Sequence, residues 1–222
     1  MATFLLLRHA HSTANESGIL AGQIPGISLS AIGKRQSSHL QRALSDQKID
    51  RFISSPMDRC LETISDVATA RRKRVFVEKA FIEMNYGSWS GRALKELMRE
   101  KSWKAIQRSP STFTFPQGES FASAARRIER GLTSLAKKYP KETILIVTHG
   151  DVIKMALQIS NGGELDNFQN FVIDTCSLSE IQWEQKSRLI VRANARLVTL
   201  TSRSRGKRKL SRRRVLGGGS GV

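Results

Sequence analysis

Two histidines in this chain each follow an apolar run that stops abruptly. Leu7 ends the first run and is followed by Arg8 and His9, and a second run, residues 144–147, leads through a threonine into His149. Short apolar runs of this kind are consistent with buried strands, and in open α/β folds ligands bind at the carboxyl ends of the strands. Imidazole acts as a nucleophile, acid or base near neutral pH, and the arginine supplies a cation. The pattern therefore predicts a site with paired imidazoles.

An arginine and a glutamate add to this pair. Arg59 ends the run Ser-Ser-Pro-Met-Asp-Arg, where a short strand is predicted to give way to a helix. Its planar guanidinium and the free N–H groups of a helix start could together hold an oxyanion. Glu83 precedes an aromatic, glycine-rich turn, residues 84–91, that could keep a carboxyl group in a partly dry pocket. Taken alone, each would be read as an ordinary surface charge.

The elements that must position these residues alternate along the chain. Strands are predicted at residues 3–7, 51–54, 75–77 and 143–147, with strand-like segments near residues 178–183 and 189–199. Helices are predicted at about residues 30–44 and 57–70, within 92–106, from 121 to beyond 135, and from 151 onward. Strands alternating with helices are typical of an α/β fold. We expect a three-layer α/β/α sandwich whose central sheet is mostly parallel.

Length and composition favour one catalytic domain. We expect it to span residues 1–201, with residues 83–118 forming a lid or helical insertion, because 222 residues with 39% hydrophobic side chains can fill a single core. The two cysteines, Cys60 and Cys176, lack disulfide or zinc spacing, which favours a reduced, cytoplasmic protein. The opening apolar run is too short for a signal peptide or a membrane span, so no membrane association is expected.

The positive charge is concentrated near the C-terminus. The formal net charge is +18, and eight of the thirteen residues from 202 to 214 are Lys or Arg while none is acidic. We expect residues 202–222 to form a basic, glycine-ended, disordered tail. Residues 203–214 could bind polyanions weakly or simply be a solvated terminus. The rest of the chain, with 29 basic and 19 acidic residues, still favours an anionic substrate.

Together these motifs resemble the histidine phosphatase superfamily, the phosphoglycerate mutase-like proteins. That family carries Arg-His-Gly after the first strand, Ser-Ser-Pro-x-x-Arg after the second, a later glutamate and Thr-His-Gly. The matching residues here are Arg8-His9-Ala10, Ser54-Ser55-Pro56 with Arg59, Glu83, and Thr148-His149-Gly150. They occur in the family's order, and the resemblance covers about residues 3–200. Through residues 12–15 and 18–22, the chain most resembles short actinobacterial proteins labelled probable phosphomutases.

The resemblance implies a metal-independent phosphomonoesterase that acts on a small phosphorylated metabolite through a phosphohistidine intermediate. His9 would be the nucleophile, and Glu83 would protonate the departing oxygen and then help to activate water. Arg8, Arg59 and His149 would hold the phosphoryl oxygens. No metal and no cofactor are expected, because the arginines supply the charge.

Three further residues are implied as phosphate contacts: Ser12, Asn15 and Gly150. For Ser12 and Asn15 a capping or turn role fits nearly as well. Two positions depart from the family pattern. Ala10 replaces a glycine, which would cost much only if the backbone needed a positive φ. His11 is a third histidine that could shape substrate choice or simply lie at the surface.

Three alternatives stay open at this point. A phosphoglycerate mutase-type phosphomutase would use the same residues, but the segment from Glu83 to Thr148 is short, and residues 86–91 resemble the Phe-Gly-x-Trp-x-Gly of the phosphatase branch, so hydrolysis is favoured. A non-catalytic polyanion-binding protein would depend on the basic tail instead. The chain could also form a homodimer, as similar proteins commonly do.

Overall fold

The computed structural model describes residues 1–184 and 187–197. The basic tail predicted for residues 202–222 therefore lies outside the described residues, as does the end of the strand predicted to reach residue 199. Within the described residues, no helix is long and apolar enough to cross a membrane. No three His, Cys, Asp or Glu side chains in the same part of the chain lie together as a metal site requires.

Six strands form one mixed sheet. They are β1 (Ala2–Arg8), β2 (Arg51–Ser54), β3 (Val75–Val77), β4 (Thr143–Thr148), β5 (Ser177–Trp183) and β6 (Arg188–Arg196). The strand order is β3-β2-β4-β1-β5-β6, in which the first four strands are parallel and β5 and β6 are antiparallel additions at one side. The predicted α/β fold with a mostly parallel sheet is confirmed.

The described part of the chain has seven helices. They are α1 (Thr13–Ser17), α2 (Ala31–Ala43), α3 (Asp58–Ala70), α4 (Leu94–Leu97), α5 (Lys101–Arg108), α6 (Phe121–Lys138) and α7 (Gly150–Ser160). Short 3₁₀ turns occupy Lys79–Phe81, Gly87–Trp89, Pro110–Thr112 and Leu165–Asn170. Two predictions need correction: α1 was not predicted, and the single helical piece within residues 92–106 is two short helices.

The alternating side chains of the central strands build two cores. Phe4 and Leu6 of β1 belong to the cluster that α6 and α7 cover. Leu5 and Leu7 point to the opposite face, where α2 and α3 pack. Successive residues of a strand face opposite sides of a sheet, so a strand buried on both faces reads as a continuous apolar run. This explains why the runs before the two histidines contain no polar alternation.

The segment 83–118 packs onto the first of these cores through aromatic side chains. Trp89 stacks on Trp103 with ring centroids 6.3 Å apart, and Phe115 contacts Trp89 edge-on at 5.4 Å. Leu97 and Ile106, from the two short helices, are buried in the same cluster. Residues 83–118 are thus anchored to the domain, although most of the segment is irregular.

Candidate active site

The strand register brings the predicted site residues to one edge of the sheet. Arg8 at the end of β1 pairs with Thr148 at the end of β4, and Ser54 of β2 pairs with Val147. The backbone N–H of His9 then donates to the Thr148 carbonyl at 2.9 Å, which carries the parallel pairing one step past the strand ends. His9 and His149 therefore leave the sheet side by side, with ring centroids 5.3 Å apart at an angle of 61°.

His9 is held in one tautomer. Its Nδ1 lies 2.7 Å from the Ala10 carbonyl oxygen, and because a carbonyl can only accept, Nδ1 carries the proton and Nε2 has a lone pair. Burial lowers the pKa of His9 well below its usual range, and the positive charges of Arg59 and Arg8 act in the same direction. A neutral imidazole with a free Nε2 is competent for nucleophilic attack.

His149 has the opposite tautomer. The Arg59 Nη2 lies 3.2 Å from His149 Nδ1, and since a guanidinium can only donate, Nδ1 is the acceptor. His149 Nε2–H then donates to Ser55 Oγ at 2.7 Å. Burial lowers the pKa of His149 well below its usual range, with Arg59 and His9 adding to the effect. His149 is thus a neutral partner of Arg59, and its Nδ1 lies 3.7 Å from Glu83 Oε2.

Two buried arginines supply the positive charge of the site. Arg8 is 1% exposed and donates from Nη1 to the Ile173 carbonyl at 2.7 Å. Arg59 is equally buried and donates from Nη2 to the Gly22 carbonyl at 2.9 Å, while its Nη1 has no hydrogen-bond partner among the described residues. A buried N–H without an acceptor is costly, and an oxyanion of a substrate would satisfy it.

Glu83 is the buried carboxyl group of the site. Its Oε1 accepts from the Met84 N–H at 3.0 Å, and its own carbonyl accepts from Gln23 Nε2 at 2.7 Å. Burial raises the pKa of Glu83 to about 7, the negative charge of Asp151 adds to the rise, and Arg59 opposes it. A carboxyl group that exchanges its proton near neutral pH is suited to general acid–base catalysis.

Ser12 and Asn15 form a capping box at the start of α1. Asn15 N–H donates to Ser12 Oγ at 3.3 Å, and Ser12 N–H donates back to Asn15 Oδ1 at 3.0 Å. The capping role that the sequence left open is therefore present. Gly150 is the first residue of α7, where backbone N–H groups have no intrahelical acceptor. Contact of these three residues with a phosphate stays a prediction.

The two departures from the family pattern leave the backbone of the site unstrained. Ala10 is fully buried, is not among the residues with positive φ, and donates its N–H to Thr63 Oγ1 at 2.9 Å. His11 is half-buried, and its Nδ1 lies 2.8 Å from Ser30 Oγ. Its ring is therefore tied to the first turn of α2.

Sequence reasoning missed a buried polar group beneath Glu83. Tyr86 Oη donates to Asp151 Oδ2 at 2.7 Å, and Lys154 Nζ lies 3.5 Å from Asp151 Oδ1. All three side chains are buried. In the sequence, the only sign of this buried group was that Asp151 directly follows His149-Gly150. At a helix start an aspartate is ordinarily read as a favourable charge near the N-terminus, so the pattern did not single it out.

Comparison with known proteins yields one family. The model of the histidine phosphatase superfamily (branch 1) matches residues 4–196. Phosphoserine phosphatase 1 of Hydrogenobacter thermophilus is 30% identical over 196 residues, covering 87% of this chain and 92% of that protein. Adenosylcobalamin/alpha-ribazole phosphatase of Escherichia coli is 26% identical over 195 residues, covering 87% and 96%. The crystal structure of the alpha-ribazole phosphatase from Shigella flexneri aligns with a TM-score of 0.77 at 26% identity, covering 90% of this chain and 100% of that chain.

Proposed function

The chain belongs to the histidine phosphatase superfamily, and on that basis we propose that it is a metal-independent phosphomonoesterase that forms a phosphohistidine intermediate. The main support is the state of His9: a buried, neutral imidazole whose Nδ1–H is held by a carbonyl while Nε2 carries the lone pair. Two buried arginines and a carboxyl group of raised pKa accompany it. This set contains a nucleophile, charge stabilisation and an acid.

In the first step, His9 Nε2 attacks phosphorus and the ester P–O bond breaks. The departing oxygen takes its proton from the protonated Glu83, so an alcohol leaves rather than an alkoxide. Arg8 and Arg59 stabilise the charge spread over the three equatorial oxygens, and His149 orients the Arg59 guanidinium by accepting its N–H at Nδ1. Phosphorylation of Nε2 makes the ring more positive, and the Ala10 carbonyl on Nδ1–H stabilises that charge.

In the second step, water attacks the phosphohistidine. Glu83, now ionised, accepts a proton from the water, and the P–N bond breaks with its electrons returning to Nε2. Inorganic phosphate leaves, and His9 and Glu83 regain their starting states. Ser12, Asn15 and Gly150 are proposed as additional contacts to the same phosphate.

The proposed substrate is a small phosphorylated metabolite. Relatives named for phosphoserine and alpha-ribazole support a phosphomonoester of a small alcohol. These phosphatase names and the phosphatase-like motif at residues 86–91 favour transfer to water over the mutase alternative, in which a second substrate hydroxyl would receive the phosphoryl group.

The nucleophile is tested by His9→Ala in the presence of EDTA, with His39→Ala as the matched control because His39 is exposed on α2. We expect phosphate release from a panel of phosphomonoesters, 3-phosphoglycerate included, to fall about 10³-fold or more in His9→Ala and to stay unchanged in His39→Ala. Release that survives His9→Ala or stops with EDTA would refute the proposal. Isomerisation of 3-phosphoglycerate without phosphate release would identify a mutase.

The organisation of the chain is proposed on the same footing. Residues 1–201 would be the catalytic domain, with residues 83–118 as its lid and residues 202–222 as a tail whose residues 203–214 bind polyanions weakly. The family match at residues 4–196 supports the domain, and the eight basic residues between 202 and 214 support the tail's role. Two free, buried cysteines suit a cytoplasmic location. A homodimer is proposed from family resemblance alone.

A further inference from the structure

Glu83 lies on a segment that strand pairing does not hold. Residues 80–85 belong to no strand in the described part of the chain, and a 3₁₀ turn, Lys79–Phe81, leads into them. The position of this segment therefore depends on side chains that reach it from other elements. From β4, Thr148 Oγ1 donates to the Phe81 carbonyl. From the loop before α2, Gln23 Nε2 donates to the Glu83 carbonyl at 2.7 Å.

The third contact comes from Arg127 of α6. Its Nη1 donates to the Ala80 carbonyl at 2.9 Å, and its Nη2 donates to the Glu83 carbonyl at 3.2 Å. One guanidinium thus spans the segment from the turn to the catalytic glutamate. The planar fork of an arginine fixes the spacing of two acceptors in a way that a lysine cannot.

Arg127 is itself held by Glu119. Arg127 Nε and Nη2 donate to the two carboxylate oxygens of Glu119 at 3.1 and 2.8 Å, and both side chains are only 17% exposed. Glu119 also binds the far end of the segment, since Asn85 N–H donates to its Oε1 at 2.8 Å and its own N–H donates to the Asn85 carbonyl at 2.9 Å. A bidentate pair of this kind is rigid as well as strong.

A glycine allows α6 to come this close. A methyl group added to Gly131 would lie 2.6 Å from the Ala80 Cβ and 3.2 Å from the Phe81 ring. Gly131 is one helical turn beyond Arg127, so the close approach of the backbones at Gly131 sets the distance from Arg127 to the Ala80 carbonyl. Any larger residue would push the helix and the segment apart.

We propose that Arg127, paired with Glu119, is a positioning residue that holds the Glu83 carboxyl group where it can protonate the departing oxygen. The proposal rests on the acid role proposed for Glu83. The hydrogen bonds of Arg127 go to the Ala80 and Glu83 carbonyls and to Glu119, none of which is a reacting atom. Arg127 acts by fixing the backbone on both sides of Glu83, and its loss would affect the proton-transfer step more than the attack of His9.

The test compares two leaving groups in Arg127→Gln. An alkyl phosphate needs its leaving oxygen protonated, whereas p-nitrophenyl phosphate does not. We expect kcat/KM, which excludes the later water step shared by both esters, to fall about 10- to 100-fold for the alkyl ester, part of the 10²- to 10⁴-fold available to general acid catalysis, and less than about threefold for the aryl ester. Arg127→Lys should recover part of the loss. Arg126→Gln, an exposed neighbour on α6, is the matched control and should change neither rate.

Two further variants distinguish a failure of the positioning role of Arg127 from a failure of the acid role of Glu83. Equal losses on both esters in Arg127→Gln would mean a merely structural role and would overturn the proposal. Glu83→Gln, measured in parallel, must itself show the selective loss on the alkyl ester; if it does not, the acid role of Glu83 fails rather than the positioning. Should Arg127→Gln not fold, Glu119→Gln keeps the shape of the pair while weakening it. It must then show a smaller loss of the same selectivity, or the proposal is wrong.

Discussion

At the scale of single residues, burial is the largest influence on the site's protonation state. It favours the uncharged form of every titratable group, so it lowers the pKa of His9 and His149 and raises the pKa of Glu83. The result at neutral pH is an unprotonated nucleophile beside a carboxyl group that still carries its proton much of the time. Groups whose environments push their pKa values apart in this way mark acid and base roles.

The raised pKa of Glu83 predicts how the rate depends on pH. As pH rises through about 7, Glu83 loses the proton that it would donate in the first step, so kcat/KM for an alkyl phosphate should fall above that pH. The pKa of His9 lies well below its usual range, so lowering the pH from 7 to 6 should bring no loss from protonation of that imidazole. The measurement is kcat/KM against pH for the wild type and Glu83→Gln. The fall above pH 7 should be absent from the variant, and its persistence there would assign the titration to another group.

Motif residues were predictable because their chemistry is local in sequence. Arg8 and His9 end one apolar run, and His149 ends another, so parallel pairing alone predicted that they would meet. Arg127 was not predictable, because its acceptors are 44 and 47 residues away and an arginine on an amphipathic helix ordinarily faces solvent. The contact exists only because α6 lies close to residues 80–83.

At the scale of elements, the first turn of α2 holds the loop that carries His9. Ser30 caps the helix and donates its N–H to the His11 carbonyl at 2.9 Å. Gln36 accepts the His11 N–H at 2.8 Å one turn further along. A methyl group added to Gly33 would lie 1.9 Å from the His11 carbonyl oxygen. Helix α2 can therefore pack this close to the loop only with a glycine at position 33.

Gly33→Ala should therefore destabilise the protein, although a Gly-to-Ala change inside a helix usually stabilises it. Alanine normally stabilises a helix by about 1 kcal/mol relative to glycine. Here the overlap with the His11 backbone should lower the free energy of unfolding by about 1–3 kcal/mol instead, and the phosphatase rate should fall because the loop carrying His9 moves. Denaturant unfolding and kcat measure the two effects. Lys34→Ala, an exposed neighbour, should change neither, and a stabilised, fully active Gly33→Ala would contradict the docking described here.

Long helices were predictable and short helices were not, although the short strands β2 and β3 were predicted with the bounds that the structure gives them. The spacing of Phe121, Ile128 and Leu132 identified α6, and all three side chains are buried. Helix α1 has five residues, too few to show a period, and its capping partner is Asn15 rather than the usual Glu or Gln. The break between α4 and α5 falls at residues 98–100, where no Gly or Pro marks it. Packing of Leu97 and Trp103 into the aromatic core decides that break.

At the scale of the whole molecule, positive charge is divided between the site and the C-terminus. Arg8 and Arg59 are buried at the strand ends, where they can contact one phosphate group. The eight Lys and Arg residues between 202 and 214 follow β6 in the sequence and lie past the family match, which ends at residue 196. We therefore expect the two sets to be separable, with the first serving the proposed phosphoryl transfer and the second attracting polyanions without affecting it.

Neutralising the tail tests this separation. We expect replacement of its eight Lys and Arg residues by Ser and Gln to abolish most binding to a single-stranded oligonucleotide while leaving kcat/KM for a small phosphomonoester within about twofold of the wild type. Counterion release makes log K fall with log salt by about 0.7 for each phosphate neutralised on a single strand, so the salt slope should shrink as well. A tail scrambled in order but unchanged in composition should bind as the wild type does, because attraction to phosphates is blind to sequence. Full binding by the neutralised chain would place the polyanion site on the domain, and a parallel loss of hydrolysis would show that the two sets of charges act together.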